Sequence, residues 1–233
     1  MNIIDNTADI FNDWNWQYIS EYINIQEVRD NPTMKWDRAG LSRNRGITIN
    51  DIHTLILPNA TDRWNWNAIS MCINIQEVRD NPHMKWDREG LSYNKMITIN
   101  DIENLQLPNA ISTYQWNAIS EYINIQEVRI YPHMPWNRLY LSKNKSITLD
   151  DILYLQLPNA TEDWYWYAIS QHINIQEVRI HPSLPWSREG LSMNKSITVR
   201  DIEYISMDRH SHLMRDIVPY KISSGLYDIA FSF

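Results

Sequence analysis

The sequence predicts an all-α chain, an α-solenoid of short helical hairpins, and three observations carry that expectation. A 50-residue unit recurs four times without insertion or deletion: Ile23-Asn24-Ile25-Gln26-Glu27-Val28-Arg29 returns unchanged at 73–79, 123–129 and 173–179. Oxygen-bearing residues suited to helix N-caps stand at fixed places in the copies. Prolines at 32, 82, 132 and 182, and again at 58, 108 and 158, punctuate the predicted helix ends, where a missing amide donor does no harm.

Each unit is read as four helices. The first opens at Trp14-Asn15, with Ile19 four residues beyond the cap; its cap column is the least strict, since it also contains Gln115 and Tyr165. The second opens at Asn24, where Glu27 stands three positions on and Ile23 and Val28 take the outer places of a hydrophobic staple. That spacing is the signature of a capping box, in which the acidic side chain reaches back to the cap amide. The third follows Trp36, with a cap column of Asp37, Asp87, Asn137 and Ser187. The fourth opens at Thr48 and repeats the box with Asp51 and the staple with Ile47 and Ile52. Alternation in Ile23-Asn24-Ile25 and Ile47-Thr48-Ile49 also suits short strands, but the recurring caps decide for helix.

Each unit also contains a weaker copy of itself. Trp14-Asn15 followed by Ile19-Ser20 matches Trp36-Asp37 followed by Leu41-Ser42, 22 residues later. The elementary element is therefore a hairpin, and four units make eight. Helices of two or three turns are unstable alone and need packing against the next copy. Residues 14–207 form the expected array, with 1–13 as an N-terminal cap and 208–233 as a C-terminal cap or tail.

All 11 tryptophans fall in three columns: 14, 64 and 164; 16, 66, 116 and 166; 36, 86, 136 and 186. Tyr114 fills the one gap. Tryptophan is thus read as the filler between hairpins, each burial worth about 2 kcal/mol.

Composition narrows the function classes. A net charge of -7 and a pI near 5.5 argue against an extended nucleic-acid surface, though not against a local basic stripe. Cys72 is the only cysteine, so no intrachain disulfide forms, which suits a reducing compartment. No apolar run is long enough to span a membrane, and Met1-Asn2-Ile3-Ile4-Asp5 lacks the pattern of a secretory signal. With 5 glycines there is no phosphate-binding loop, and no nucleophile elbow or His-Glu-x-x-His motif occurs. His83, His133, His181, His210 and His212 make no ligand set of metal-binding spacing. The reading is of a non-enzyme without metal or cofactor.

Several polar columns are candidates for binding. Arg29, Arg79, Arg129 and Arg179, with Arg38, Arg88, Arg138 and Arg188, face the acidic columns of Glu27 and Asp51. They read either as an anion- or partner-binding ladder or as links between neighbouring hairpins. Arg45, Lys95, Lys145 and Lys195 form a column that is cationic in every copy and lies in a predicted turn, with Arg43 and Lys143 nearby. It reads either as solvated turn charge or as a basic ridge for a partner. Asp30 and Asp80 become Ile130 and Ile180, while Lys35 and Lys85 become Pro135 and Pro185. The second half therefore carries an apolar patch with Tyr131 and His181, suited to a binding or dimer contact.

Trp64-Asn65-Trp66-Asn67-Ala68-Ile69-Ser70, with Leu91-Ser92-Tyr93-Asn94 and Ile97-Thr98, resembles the tryptophan-rich tandem repeats of proteins encoded by giant DNA viruses of amoebae. The resemblance covers residues 14 to about 205. One departure is that those repeats commonly place Asn-Pro-Asn before Ile-Thr, where this chain has Asn44-Arg45-Gly46 and its counterparts. The resemblance implies a viral origin, a repeat fold and action in the host cytoplasm or virion. The functional expectation is a scaffold presenting a surface to a host or viral protein, with no membrane partner and a capacity to form homo-oligomers. The alternative is a helical-repeat nucleic-acid-binding protein.

Overall fold

The computed structural model describes residues 13–203 and 205. It is helical, with the expected four helices per 50-residue copy. The first copy holds α1 (Trp16–Tyr22), α2 (Ile25–Asp30), α3 (Arg38–Leu41) and α4 (Ile49–Thr54). The second holds α5 (Trp66–Cys72), α6 (Ile75–Asp80), α7 (Arg88–Ser92) and α8 (Ile99–Asn104). The third holds α9 (Trp116–Tyr122), α10 (Ile125–Ile130), α11 (Arg138–Leu141) and α12 (Leu149–Tyr154). The fourth holds α13 (Trp166–His172), α14 (Ile175–Ile180) and α15 (Arg188–Ser192), and a further helix begins at Val199. Among the described residues, extended pairing is confined to single parallel bridges, Asp37 with Thr61, Asp87 with Ile111 and Asn137 with Thr161. The described part divides into two compact units, one of residues 13–136 with 157–159 and one of residues 137–156 with 160–203. Residues 1–12 and 208–233, expected as terminal caps or tail, lie outside the described part.

The caps follow the sequence closely. Asp37, Asp87, Asn137 and Ser187 each accept a hydrogen bond from the amide three residues on. Thr48, Thr98 and Thr148 form complete capping boxes with Asp51, Asp101 and Asp151. Gln115 and Tyr165, the weak members of their column, make no side-chain cap bond. One expectation is corrected. Asn24 and its counterparts accept from the amide only two residues on, and the glutamate that follows has a different task. Glu77 Oε2 accepts from Ile49 N at 3.2 Å and Glu127 Oε2 from Ile99 N at 2.9 Å. The acid of one copy thereby satisfies an unpaired first-turn amide of the copy before it.

The core is built from the tryptophan and isoleucine columns. Trp36, Trp86, Trp136 and Trp186 are buried, and each indole N–H donates to the carbonyl of the residue that ends the second helix, Asn31, Asn81, Tyr131 or His181. Trp16 meets Trp36 edge-on at 5.6 Å, and Trp66 meets Trp86 in the same way, the geometry that ring quadrupoles favour. Trp64 packs on both the first core cluster and the second, as a filler between hairpins must. In the gap at Tyr114, the Arg88 guanidinium lies 6.0 Å from the ring.

Fully buried serines tie the hairpins together. Ser20 Oγ accepts from Asp37 N at 2.9 Å, and Ser70 Oγ from Asp87 N. Ser42 Oγ donates to Arg38 O at 2.6 Å and accepts from Asn65 N at 2.9 Å. Asn44 Nδ2 donates to Ser20 O and Ile23 O, while its Oδ1 accepts from Gly46 N. The last bond makes an Asx turn of Asn44-Arg45-Gly46, so the turn closes without the proline of the resembling repeats. Asn94 and Asn194 repeat all three contacts.

In the first, second and fourth copies this lock draws the first and third helices so close that only glycine fits, whereas the third copy carries Tyr140 at the same position. A Cβ on Gly90 would lie 2.4 Å from Asn67 O and 2.9 Å from Ser70 Cβ. On an isolated helix, Gly→Ala stabilises by about 1 kcal/mol. Here Gly90→Ala is expected to destabilise by about 2 kcal/mol, because the neighbour is backbone and cannot yield. Urea denaturation of the two proteins checks the sign.

Candidate interaction surface

Six of the arginines in the two columns, Arg29, Arg79, Arg179, Arg38, Arg88 and Arg138, are engaged by the framework. Arg29 grips Asp51 with two bonds of 2.8 Å, Arg79 grips Asp101 at 2.8 and 2.9 Å, and Arg179 grips Asp201 in the same forked manner. The carboxylates are buried. Burial pushes the Asp51 and Asp101 carboxyls up, but the arginine and the threonine hydroxyl and amide outweigh it and hold both below the usual range. Asp201 is lowered chiefly by Arg179. The second column turns to the backbone. Arg38 donates to the carbonyls of Leu57, Ala60 and Asp62, and Arg88 to those of Leu107 and Ala110. In the other unit Arg138 donates to Glu162 O at 3.3 Å. These arginines hold the turn between copies, in which Asp62, Ser112 and Glu162 take a left-handed backbone conformation. Nothing in the sequence pattern pointed to carbonyls as their partners, because backbone acceptors leave no trace in residue identity.

The cationic turn column is different. Arg45, Lys95, Lys145 and Lys195 are all exposed, in the turn between the third and fourth helices of each copy. In the first, second and fourth copies the end of the first helix runs beside this turn. In the unit that begins the chain, Tyr22 is exposed, and its phenol is held above its ordinary value by a hydrogen bond to Glu21, with Arg45 pulling the other way. Cys72 lies near the same charges: burial pushes its thiol up, against Arg45 and Arg43. A thiol so raised is not an activated nucleophile. Farther along, Tyr93 meets Tyr122 at 5.8 Å, and Met96 is exposed beside Lys95. Sequence reasoning found the cations but missed Tyr22, Tyr93, Met96 and Tyr122, since none of their columns keeps one residue type through all four copies and so none carries a full repeat signal.

The second unit has the same elements with other residues. Lys143 Nζ lies 4.3 Å from the centre of the Tyr140 ring, a cation–π contact. Tyr167 Oη and Gln171 Nε2 both approach Met193 Sδ at 3.3 Å. His172 Nε2 lies 2.8 Å from Ser142 O, while its Nδ1 is buried with no hydrogen-bond partner. Donation from Nε2 to the carbonyl fits a neutral ring whose acceptor nitrogen is Nδ1. Among the described residues, no three His, Cys, Asp or Glu side chains converge as metal ligands. No helix of the described part is long and apolar enough to cross a membrane.

Tyr131 and His181 lie elsewhere. Each ends the second helix of its copy, whereas in the fourth copy the cationic turn is tied to the start of that helix through Ile173 O. About 9 Å of helix separates the two places. In the first two copies this end is polar and self-satisfied: Gln26 and Gln76 bond Asp30 and Asp80 at 2.8 Å, and Asn31 and Asn81 bond the helix carbonyls. Ile130 and Ile180 replace those aspartates and are exposed. Tyr131 and His181 are half-buried, and Tyr131 stands edge-on to His133 at 6.4 Å. Within the second unit, His181 and Lys195 therefore belong to separate places on the surface.

No family model, curated protein or solved structure matches the chain.

Proposed function

We propose that this protein is a non-enzymatic repeat scaffold whose turn face binds a protein partner, and that it is a viral protein acting in the host cytoplasm or virion, as its resemblance to the giant-virus repeats implies. One observation carries the binding reading. Most of the recurring polar side chains are engaged in caps, forks and locks, whereas the cationic turns are exposed, with exposed Tyr22, Tyr93 and Met96 beside Arg45 and Lys95. Tyrosine and methionine next to cations are the residues from which adaptable protein-binding surfaces are made. The preferred occupant is an acidic, partly apolar protein face, since each unit carries two cations at equivalent turns and like charges favour a negative partner.

The alternative, a nucleic-acid-binding repeat, draws on the same cations and on Tyr22 and Tyr93 as stacking surfaces. It is weakened by the burial of the Trp36 column, which removes the most regular set of aromatics from contact with bases.

The test is affinity capture from infected cells, comparing the wild-type chain with one carrying Arg45→Glu, Lys95→Glu, Lys145→Glu and Lys195→Glu. These residues are exposed, so the variant is expected to fold. A defined protein partner recovered with the wild type and lost from the variant is the expected result. Binding of single-stranded RNA or DNA that weakens steeply with salt would overturn the scaffold reading in favour of the alternative.

A further inference from the structure

The two ends of the described array are exposed in the columns that inner copies bury against each other. Residue 49 and its counterparts are the clearest case. Ile49, Ile99 and Leu149 are 4%, 0% and 3% exposed, but Val199 is 70% exposed. Ile202 is 54% exposed, whereas its counterpart Ile152 is buried. At the other end, Ile69, Ile119 and Ile169 are fully buried and Ile19 is not. Ile73, Ile123 and Ile173 are buried and Ile23 is half-exposed. Trp14 is exposed, while Trp64 and Trp164 are half-buried.

The inner copies show how these columns meet. Ile49 of the first copy belongs to the core cluster of the second, with Ile69, Ile73 and Ile75. Ile52 and Trp64 pack on both clusters. The contact is sealed by the Glu77 and Glu127 carboxylates on the Ile49 and Ile99 amides. Val199 and Ile202 are thus one half of a repeat interface, and Trp14, Ile19 and Ile23 are the other half. Their acid, Glu27, is exposed, whereas Glu77, Glu127 and Glu177 are half-buried.

Charge points to the same occupant. The residue beside the amide that receives the glutamate is Asn50, Asn100 or Asp150 in inner copies, but Arg200 at the open end. An arginine there would oppose Glu27 of an incoming chain.

We propose that the protein assembles head to tail, the Val199–Ile202 end of one copy receiving the Trp14–Glu27 end of another, so that the repeat interface continues across molecules. The two patches are different surfaces, so the interface is heterologous and propagates into a filament or closes as a ring. It is independent of the turn face and of any partner bound there.

Analytical ultracentrifugation of the full chain across a concentration series tests this. The mass is expected to rise from 27.8 kDa to successive multiples. Val199→Glu and Trp14→Glu each ruin one end, so either variant alone is expected to stay monomeric. An equimolar mixture of the two is expected to show a doubled mass and nothing larger, since one intact end of each kind remains. As a second pair of variants, Glu27→Arg or Arg200→Glu alone is expected to weaken assembly, and the two substitutions combined in one chain to restore it. A wild-type mass that stays at 27.8 kDa at every concentration overturns the proposal, the ends then being covered by the chain's own terminal segments or left open. Association that survives both Val199→Glu and Trp14→Glu also overturns it, because it would use another face.

Discussion

Replacing Trp86 by alanine is expected to destabilise the protein by about 4 kcal/mol, the largest effect of any single core truncation. Three contributions add at this residue. Its side chain is fully buried in the cluster of Ile69, Ile73, Ile75, Val78 and Leu91, so truncation leaves a cavity that short helices on every side cannot close. Its ring meets Trp66 at 5.6 Å, edge to face. Its indole N–H donates to Asn81 O at 2.9 Å, and that carbonyl, at the end of α6, loses a partner when the ring is removed. Trp86→Phe keeps most of the apolar area and loses only the hydrogen bond and part of the ring, so about 2 kcal/mol is expected. Trp14→Ala, at an exposed position of a related column, is expected to change stability by less than about 0.5 kcal/mol. Chemical denaturation of the three variants separates these values. An equal cost for Trp86→Ala and Trp14→Ala would show that the tryptophan columns are not the core.

Asp101→Ala comes second, at about 3 kcal/mol. The carboxylate caps Ile99–Asn104 in the box with Thr98 and accepts two bonds from Arg79. Asp101→Asn preserves shape and an acceptor but not the charge, and should cost less. The same column sets a pH dependence. Asp51, Asp101 and Asp201 titrate below their ordinary value in the folded chain, so the unfolded chain binds protons first as pH falls. Their stabilisation is therefore complete above the unfolded value, near pH 4, and is lost progressively as pH falls below it toward the lowered folded values. Thermal melts are expected to be level from about pH 7 to 5 and to fall below about pH 4. The variant lacking Asp101 should show a shallower acid limb.

The repeat was legible in the sequence because its signals are local. Thr48 and Asp51 are three residues apart, and a box between them needs only one turn of helix. The weak caps at Gln115 and Tyr165 were legible for the same reason. Glu27 was misread by the same logic, since its spacing from Asn24 satisfies the box. In the folded chain the equivalent Glu77 finds an amide 28 residues earlier, and the isoleucine packing that brings the two together decides the matter. The cationic turn was visible as a column; the tyrosines beside it were not, because a surface that differs from copy to copy has no period.

What the sequence by itself determined is the period, the helix class, the helix starts and the columns that carry tryptophan. Each follows from chemistry within a few residues of the chain, repeated often enough to be unmistakable. Only the tertiary structure decided where the long polar side chains end: Arg29 on a carboxylate, Arg38 on backbone carbonyls, Ser20 on the amide of Asp37 and Glu77 on the preceding copy. A long side chain has several partners within reach of its residue number, and packing of the apolar columns chooses among them by fixing which group comes within hydrogen-bond distance.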